Sequence, residues 1–417
     1  MLSVILLRIL GLRTSKIDLV KNVIGLLALL IFFYSCKDKN GKKGLEADSA
    51  ASSYPAAVST LTPAELRQYK TKANHFFDSM FGRGNFNGSV LVAKNGEIIY
   101  EQYKGFRNPR VKKDSITPST SFHLASVSKT ITAMAILKLA EEGKLSIEDS
   151  VSKYLAGFPC TGVTIKTLLN HRSGLPNYVH YMEKLGWDKK RLITNQDVLN
   201  FIIERHKDIN IGTPDRRFSY SNTNYALLAL VIEKASGQFY GDYLRQTFFE
   251  PLGMKDTYVY TPADSAKALP SFFYSGRQYA FDFLDLVYGD KNIYSTVRDL
   301  LKWDQALHNQ FFKKETLEAA YAGYSFERPG VNNYGLGWRM FLLGNGKKFI
   351  YHNGWWHGNR TAFYRLIDEN VTIIALCNND SKKVYSSKKL ADMFGNYFKN
   401  KHEAKETENT GGGSPSP

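Results

Sequence analysis

Three places in the sequence put a lysine three residues after a serine: Ser126 with Lys129, Ser150 with Lys153, and Ser386 with Lys389. On a helix, residues at i and i+3 share a face one turn apart, so the ammonium nitrogen can reach the hydroxyl. A serine hydroxyl is a weak nucleophile until a neighbouring base takes its proton. A lysine can be that base only where its pKa falls from about 10.4 toward 7, roughly 4 to 5 kcal/mol drawn from burial and positive potential. A helix N-terminus adds to that potential and offers backbone N–H groups to an oxyanion. The pattern alone says little, because two fixed common residues recur about once or twice by chance in a chain this long.

Context selects among the three. Ser126 follows the extended stretch Ser121–Ala125 and opens an apolar helical pattern (Ile131, Met134, Ala135, Leu137, Leu139), which would bury Lys129 in its first turn. Ser150 follows Glu148-Asp149 and precedes a short stretch running into Pro159, so it reads as the cap of a surface turn with a solvated lysine. Ser386 sits among Lys382, Lys383, Lys388 and Lys389, where a lysine stays charged. Ser126 is therefore the candidate nucleophile. Other chemistries lack their residues: there is no His-Glu-x-x-His, Cys-x-x-Cys, Walker loop or Gly-x-Ser-x-Gly elbow. His352 and His357 flank two tryptophans and read as polar strand and loop residues, not metal ligands. No metal or cofactor is implied.

The elements that must position Ser126 form an α+β pattern. A helix is expected from Pro63 to about Met80 with Thr62 as its cap, then strands at 88–93 and 97–103 joined by Lys94-Asn95-Gly96, a strong hairpin signal. Residues 150–340 alternate short helices with Gly/Pro/Asn loops. Strand character returns at 348–352, 361–368 and 371–378, before a last helix at about 382–398. The simplest architecture is one antiparallel β-sheet closed by N- and C-terminal strands, flanked by N- and C-terminal helices, with a mainly helical lobe inserted. A cleft between lobe and sheet is the default site.

The stretch Phe122-His123-Leu124-Ala125-Ser126-Val127-Ser128-Lys129-Thr130 resembles the active-site helix start of the penicillin-recognising serine hydrolases. The branch it resembles holds class C β-lactamases, D-alanyl-D-alanine carboxypeptidases, D-aminopeptidases and related esterases. The segments LLNHRSGLP (168–176), FSYSNTNY (218–225), PLGM (251–254), YSTVRDLLKW (294–303) and YGLGW (334–338) fall in that family's order. The resemblance covers about residues 65 to 398 and implies a β-lactamase/transpeptidase-like fold. It assigns Tyr220-Ser221-Asn222 as the second motif, with Tyr220 sharing proton transfer with Lys129 and Asn222 holding a substrate amide. The third motif becomes His352-Asn353-Gly354, with Gly354 admitting substrate backbone and His352 supplying a hydrogen bond and partial positive charge. The N–H groups of Ser126 and Trp355 form the implied oxyanion hole. Trp355 and Trp356 flank the cleft or pack under a loop, and His171 and Arg172 are structural. Asp215 stands where the family more often has glycine, which puts that turn in question. Histidine in place of the lysine of dedicated class C enzymes weakens β-lactam hydrolysis and favours peptidase or esterase activity.

The remaining sequence sets the compartment. Residues 1–36 read as a leader: Lys16 and Lys21, the apolar run 23–33, then Tyr34-Ser35-Cys36. The end resembles a lipoprotein cleavage site that would leave Cys36 lipidated; the alternative is an uncleaved anchor. Residues 37–62 read as a tether, 63–398 as the hydrolase domain and 399–417 as a disordered tail. Over the 417 residues, 43% hydrophobic and 23% charged composition excludes a disordered or multi-span chain. Three cysteines exclude a stapled scaffold, and Cys160 and Cys377 read as buried apolar thiols, although export would permit their pairing. The 55 Lys+Arg against 39 Asp+Glu give +16; losing Arg8, Arg13, Lys16, Lys21 and Asp18 with the leader removes +3 and leaves +13. The surplus is dispersed, which suits an anionic cell envelope and not a nucleic-acid partner. The expectation is an exported, envelope-localised, lipid-anchored serine hydrolase acting through an acyl-enzyme on a D-amino-acid peptide of peptidoglycan origin. A small-molecule esterase, a weak class C-type β-lactamase and a non-catalytic penicillin-binding sensor are its alternatives.

Overall fold

The computed structural model describes residues 61–82 and 86–399. Helix α1 (Pro63–Phe81) opens with a reciprocal cap, the Thr62 side chain accepting from the Glu65 N–H while the Glu65 carboxylate accepts from the Thr62 N–H. Its buried face, Ala73, Phe77 and Phe81, recurs at helical spacing and packs on the sheet. Strands β1 (Gly88–Lys94) and β2 (Glu97–Lys104) follow, joined by Asn95 (φ 51°) and Gly96 (φ 78°), the left-handed pair a tight hairpin requires. Two short strands, β3 (Phe106–Asn108) and β4 (Lys113–Ser115), pair only with each other, and β5 (Phe122–His123) leads to the nucleophile segment.

The segment after β5 is a 3₁₀ turn, Ala125–Val127, running into helix α2 (Ser128–Glu141), so Ser126 lies in the lead-in and Lys129 in the first α-helical turn. The lobe between α2 and the C-terminal strands is mainly helical; its longer helices are α3 (Asn195–Arg205), α4 (Asn222–Ser236) and α5 (Val297–Ala306). Strands β6 (Tyr258–Val259) and β7 (Ile293–Ser295) join β5 in a small sheet that the sequence does not announce. Strands β8 (Asn332–Tyr334) and β9 (Arg339–Leu342) fall in a stretch expected to be helix and loop. They are three and four residues long, too short for an alternation to register. Then come β10 (Lys348–Trp356), β11 (Asn359–Leu366) and β12 (Val371–Cys377).

The main sheet runs β2-β1-β12-β11-β10-β9-β8, antiparallel between all neighbours. Gly88 pairs with Cys377 and Lys94 with Val371, so the first and last strands described pair directly, second and third from one edge. Both faces are covered. Leu91, Ile350, Phe363, Ile374 and Leu376 face the helical lobe, while Val90, Phe349, Tyr364, Ile373 and Ala375 face α1. That double burial is why β12 reads as the run VTIIALC, apolar except for Thr372. The segment expected as a C-terminal α-helix is a 3₁₀ stretch, Lys382–Met393. There the Ser387 hydroxyl donates to the Val384 carbonyl at 2.6 Å, competing for an acceptor that an α-helical turn uses. The expected leader, Cys36, most of the tether and nearly all of the tail lie outside the described residues. Among the described residues no helix is long and apolar enough to cross a membrane.

Candidate active site

Ser126 and Lys129 come together as their spacing predicts. Lys129 is fully buried, and its Nζ donates to Ser126 Oγ at 3.1 Å, to Asn222 Oδ1 at 2.8 Å and to the Asp290 carbonyl at 2.7 Å. Three donors thus meet three neutral oxygens, and the bond to serine is the one through which a deprotonated amine would take the hydroxyl proton. The other two serine–lysine pairs do not form such a site. Lys153 is 59% exposed and paired with Asp149, the Ser150 hydroxyl bonds the exposed Ser152 hydroxyl, and Lys389 is exposed.

The turn that carries Ser126 is held from several sides. Ala125 adopts φ 48°, a left-handed conformation that costs an alanine energy and persists only where surroundings over-determine it. The Ala125 N–H donates to His123 Nδ1 (3.0 Å), which leaves the proton on Nε2 to donate to Asn292 Oδ1 (2.8 Å). Burial drives the His123 pKa down to about 4, so the ring stays neutral in that role. The Thr361 hydroxyl donates to the Leu124 carbonyl at 2.7 Å. Gly354 lies directly beneath: a Cβ there would stand 2.1 Å from Thr361 Oγ1 and 2.5 Å from the Leu124 carbonyl oxygen. The glycine of the third motif is therefore required by the nucleophile turn itself.

Tyr220 is positioned by an aromatic cluster. Its ring centroid is 4.3 Å from that of His171, with Lys129 Nζ at 5.2 Å and the Arg339 guanidinium at 4.9 Å from the Tyr220 ring. His171 also accepts from the Ser221 N–H through Nδ1 (3.2 Å), and its carbonyl accepts from the Ser219 N–H (2.8 Å), so it grips the backbone on both sides of Tyr220. The Tyr220 hydroxyl is buried and has no hydrogen-bond partner. An unmet buried hydroxyl costs free energy, so it marks a place where something else belongs. Asp215 occupies φ 59°, the left-handed region that favours glycine, and Arg172 binds both its carboxylate (2.5 Å) and its carbonyl (2.6 Å). The ion pair holds a turn that glycine would adopt freely, and Arg172 is structural as expected.

His352 departs from one expectation, that of partial positive charge. It is 1% exposed, with Nε2 against the Tyr334 hydroxyl (3.2 Å) and Nδ1 against the Asn353 carbonyl (2.7 Å). Burial, reinforced by the charges of Arg339 and Lys129, holds it well below the ordinary histidine range. It is neutral and supplies no positive charge to the cleft. Arg339, absent from the residues predicted, stands in that place, at the start of β9 and directly after the YGLGW segment. Gly337 (φ 88°) lets that segment pass 2.2 Å from Ala133 of α2, measured from where a Cβ would sit. Arg339 lines a cavity of about 400 Å³ together with Arg217, Arg328, Phe218 and Tyr334.

The two tryptophans part company. Ile350 and Trp356 face the lobe and Phe349 and Tyr351 face α1, so strand alternation sets His352 and Gly354 on the catalytic face and Trp355 on the other. The Trp355 ring lies under the Arg360 guanidinium at 4.2 Å, away from Ser126. Only its backbone N–H is left for the oxyanion. Pairing of β9 with β10 ends at Tyr351, so beyond it that edge of β10 has no strand partner. Trp356 instead covers a buried group the sequence did not single out: Lys291 Nζ lies 4.6 Å from its ring and bonds the Tyr178 hydroxyl at 2.5 Å. The Tyr178 hydroxyl also donates to Asp290 Oδ2 (3.0 Å), and burial lowers the pKa of Lys291 against the opposing pull of Asp290. Cys160 and Cys377 are free thiols, both pushed up to about 11 by burial.

This arrangement and sheet order are those of the β-lactamase and penicillin-binding-protein fold. Residues 73–393 match the Beta-lactamase family, and the chain belongs to it. It is 34% identical over 341 residues to penicillin-binding protein 4* of Bacillus subtilis, covering 77% of this chain and 74% of that protein. The solved penicillin binding protein from Bacillus halodurans superposes with a TM-score of 0.65 at 22% identity, covering 76% of this chain and 98% of the other. The D-amino acid amidase from Ochrobactrum anthropi superposes at 0.63 and 20% identity, covering 83% and 99%. Family and fold together make the chain a β-lactamase-related serine hydrolase.

Proposed function

We propose that Ser126 attacks an amide or ester carbonyl to form an acyl-enzyme that water then releases, and that the substrate is a D-amino-acid peptide of the cell wall. The observation that carries this reading is the buried Lys129 amine joining Ser126 Oγ to Asn222 Oδ1 beside a Tyr220 hydroxyl with no partner. Lys129 takes the serine proton, and that proton passes through the Tyr220 hydroxyl to the leaving group, which restores both side chains. Asn222 orients the substrate amide, and the N–H groups of Ser126 and Trp355 receive the oxyanion. Arg339, between Tyr220 and Tyr334, supports a peptide substrate over a neutral ester, because it offers a cation to a terminal carboxylate where His352 cannot. We place the enzyme at the cell envelope, held by a lipid on Cys36.

The test is a hydrolysis panel of a D-Ala-D-Ala peptide, a p-nitrophenyl ester and nitrocefin, each against Ser126→Ala. Turnover of the peptide by the wild type alone is expected. A folded protein that hydrolyses none of the three and takes no label from a fluorescent penicillin or fluorophosphonate would sink the proposal, and label surviving in Ser126→Ala would shift it to another serine. Loss of metabolic fatty-acid label in Cys36→Ala tests the anchor.

A further inference from the structure

A cavity of about 530 Å³ lies at the turn between β10 and β11, outside the catalytic residues. Its walls include the aromatic rings of Tyr260, Phe281 and Trp356 and the polar groups of Asp285, His357 and Asn359. Among the described residues no lysine or arginine lines it, although the chain carries 55 of them. Asp285 is buried and accepts from Trp356 Nε1 (2.6 Å), while His357 Nε2 lies 3.0 and 3.1 Å from its two oxygens. Burial works against the Asp285 carboxylate, but the contacts of His357, of the Asp282 N–H (2.7 Å to Oδ2) and of Trp356 outweigh it and keep the group below its ordinary pKa. Asp282 brings a second carboxylate to within 4.8 Å of the same cluster. Lys291, on the Trp356 ring, also acts on both carboxylates but is itself paired with Asp290 at 3.5 Å, so two carboxylates against one imidazole leave the cluster anionic whichever form His357 takes. Asn359 is 4% exposed, its Nδ2 donates to the Trp356 carbonyl, and its Oδ1 has no partner. The wall thus holds an unmet acceptor besides its negative charge.

We propose that this cavity receives the amino-bearing end of the substrate: a primary ammonium on an apolar body, the ammonium against Asp285 and Asn359 Oδ1, the body against Tyr260, Phe281 and Trp356. The identification with substrate rests on the hydrolase reading above. An ammonium donates three hydrogen bonds and is attracted to aromatic faces, which is what this wall offers. A divalent ion held by Asp282, Asp285 and His357 would have to displace the Asp285–His357 hydrogen bond and would leave the aromatic volume unused. The cavity also adjoins the nucleophile. Asn292, which accepts from His123 under the Ser126 turn, donates through Nδ2 to the Asp285 and Val287 carbonyls at 2.8 and 2.9 Å. His123 and Asn292 themselves belong to its wall.

The decisive comparison is calorimetric titration of the full chain carrying Ser126→Ala with phenethylamine and with 2-phenylethanol, which differ in charge and little in shape. The amine is expected to bind at least about tenfold more tightly, about 1.4 kcal/mol, with the advantage lost in Asp285→Asn. Asp282→Asn, at a half-buried position, reduces it and keeps the test open if Asp285→Asn does not fold. Equal binding of amine and alcohol, an advantage that persists in both variants, or zinc ion that displaces the amine in a His357-dependent way would each overturn the proposal. In turnover, the wild type is expected to show a lower KM for a peptide with a free amino end than for its N-acetyl form. A chain that hydrolyses both alike and binds amine and alcohol alike refutes the cavity assignment alone. One that prefers the amine but hydrolyses nothing supports the cavity and refutes the hydrolase reading.

Discussion

Tyr220 separates chemistry from stability more cleanly than any other side chain in the site. Its hydroxyl forms no hydrogen bond in the folded protein, so Tyr220→Phe removes no bond and leaves thermal stability within about 1 °C or slightly raised. If the hydroxyl carries a proton during turnover, the same substitution lowers kcat by about 10²- to 10⁴-fold. Thermal melts and steady-state rates on one preparation check both, and a rate unchanged by the substitution would remove Tyr220 from the mechanism. Lys129→Met is expected to abolish acylation by a fluorescent penicillin, since Ser126 then has no amine within reach. Residues of this kind were legible in the sequence because their surroundings speak for them. Lys129 is followed by an apolar helix that must bury it, whereas Lys153 has Asp149 four residues before it and stays in water. Arg339 and Lys291 were not legible. Neither belongs to a periodic pattern, and each acquires its role from rings that distant segments supply: Tyr220 and Tyr334 for Arg339, Tyr178 and Trp356 for Lys291.

At the level of elements, the third-motif strand supports the nucleophile turn. Thr361 on β11 reaches past Gly354 on β10 to bind the Leu124 carbonyl. Thr361→Val keeps the shape and removes one of the two hydrogen bonds to that carbonyl, which still accepts from the Val127 N–H, at a cost of about 0.5–1.5 kcal/mol. The expected result is a lower melting temperature together with slower acylation, with Thr361→Ser restoring the rate more than the stability. Gly354→Ala should be the harsher change, because a methyl has no room between Thr361 and Leu124. Helices and long strands were foreseen from hydrophobic spacing and from the hairpin signal at Asn95-Gly96. The 3₁₀ character of Lys382–Met393 and the short strands β5 to β9 were not, since two to four residues show no period and a serine that bonds its own backbone leaves no signature in the pattern. The opposite facing of Trp355 and Trp356 follows from strand parity once β10 is known to extend to Trp356.

Across the whole molecule, buried ionisable groups set how the fold responds to acid. Burial keeps His123, His171 and His352 neutral in the folded state, with pKa values below 6.5 and, for His123, down to about 4. In the unfolded chain each takes up a proton below about pH 6.5. The unfolded state then binds more protons than the folded one, so stability falls as pH drops through 6.5 toward the folded values, by up to about 1.4 kcal/mol per pH unit for each histidine. Melting temperatures between pH 7.5 and 5 measure this, and a flat profile would contradict it. A second charge system joins lobe to sheet: Arg365 on β11 and Thr372 on β12 both bind the Asp304 carboxylate of α5, and all three are buried. Asp304→Ala leaves the Arg365 guanidinium buried without its counter-ion, for an expected loss of about 3–5 kcal/mol, read as a shift in denaturant midpoint. The pairing of Gly88 with Cys377 reaches further still. The strand made first is completed by the strand made last, with Ser126 and the whole helical lobe in between. During synthesis the nucleophile therefore emerges long before the sheet that shapes its turn can close, and the site cannot assemble until β12 has been made.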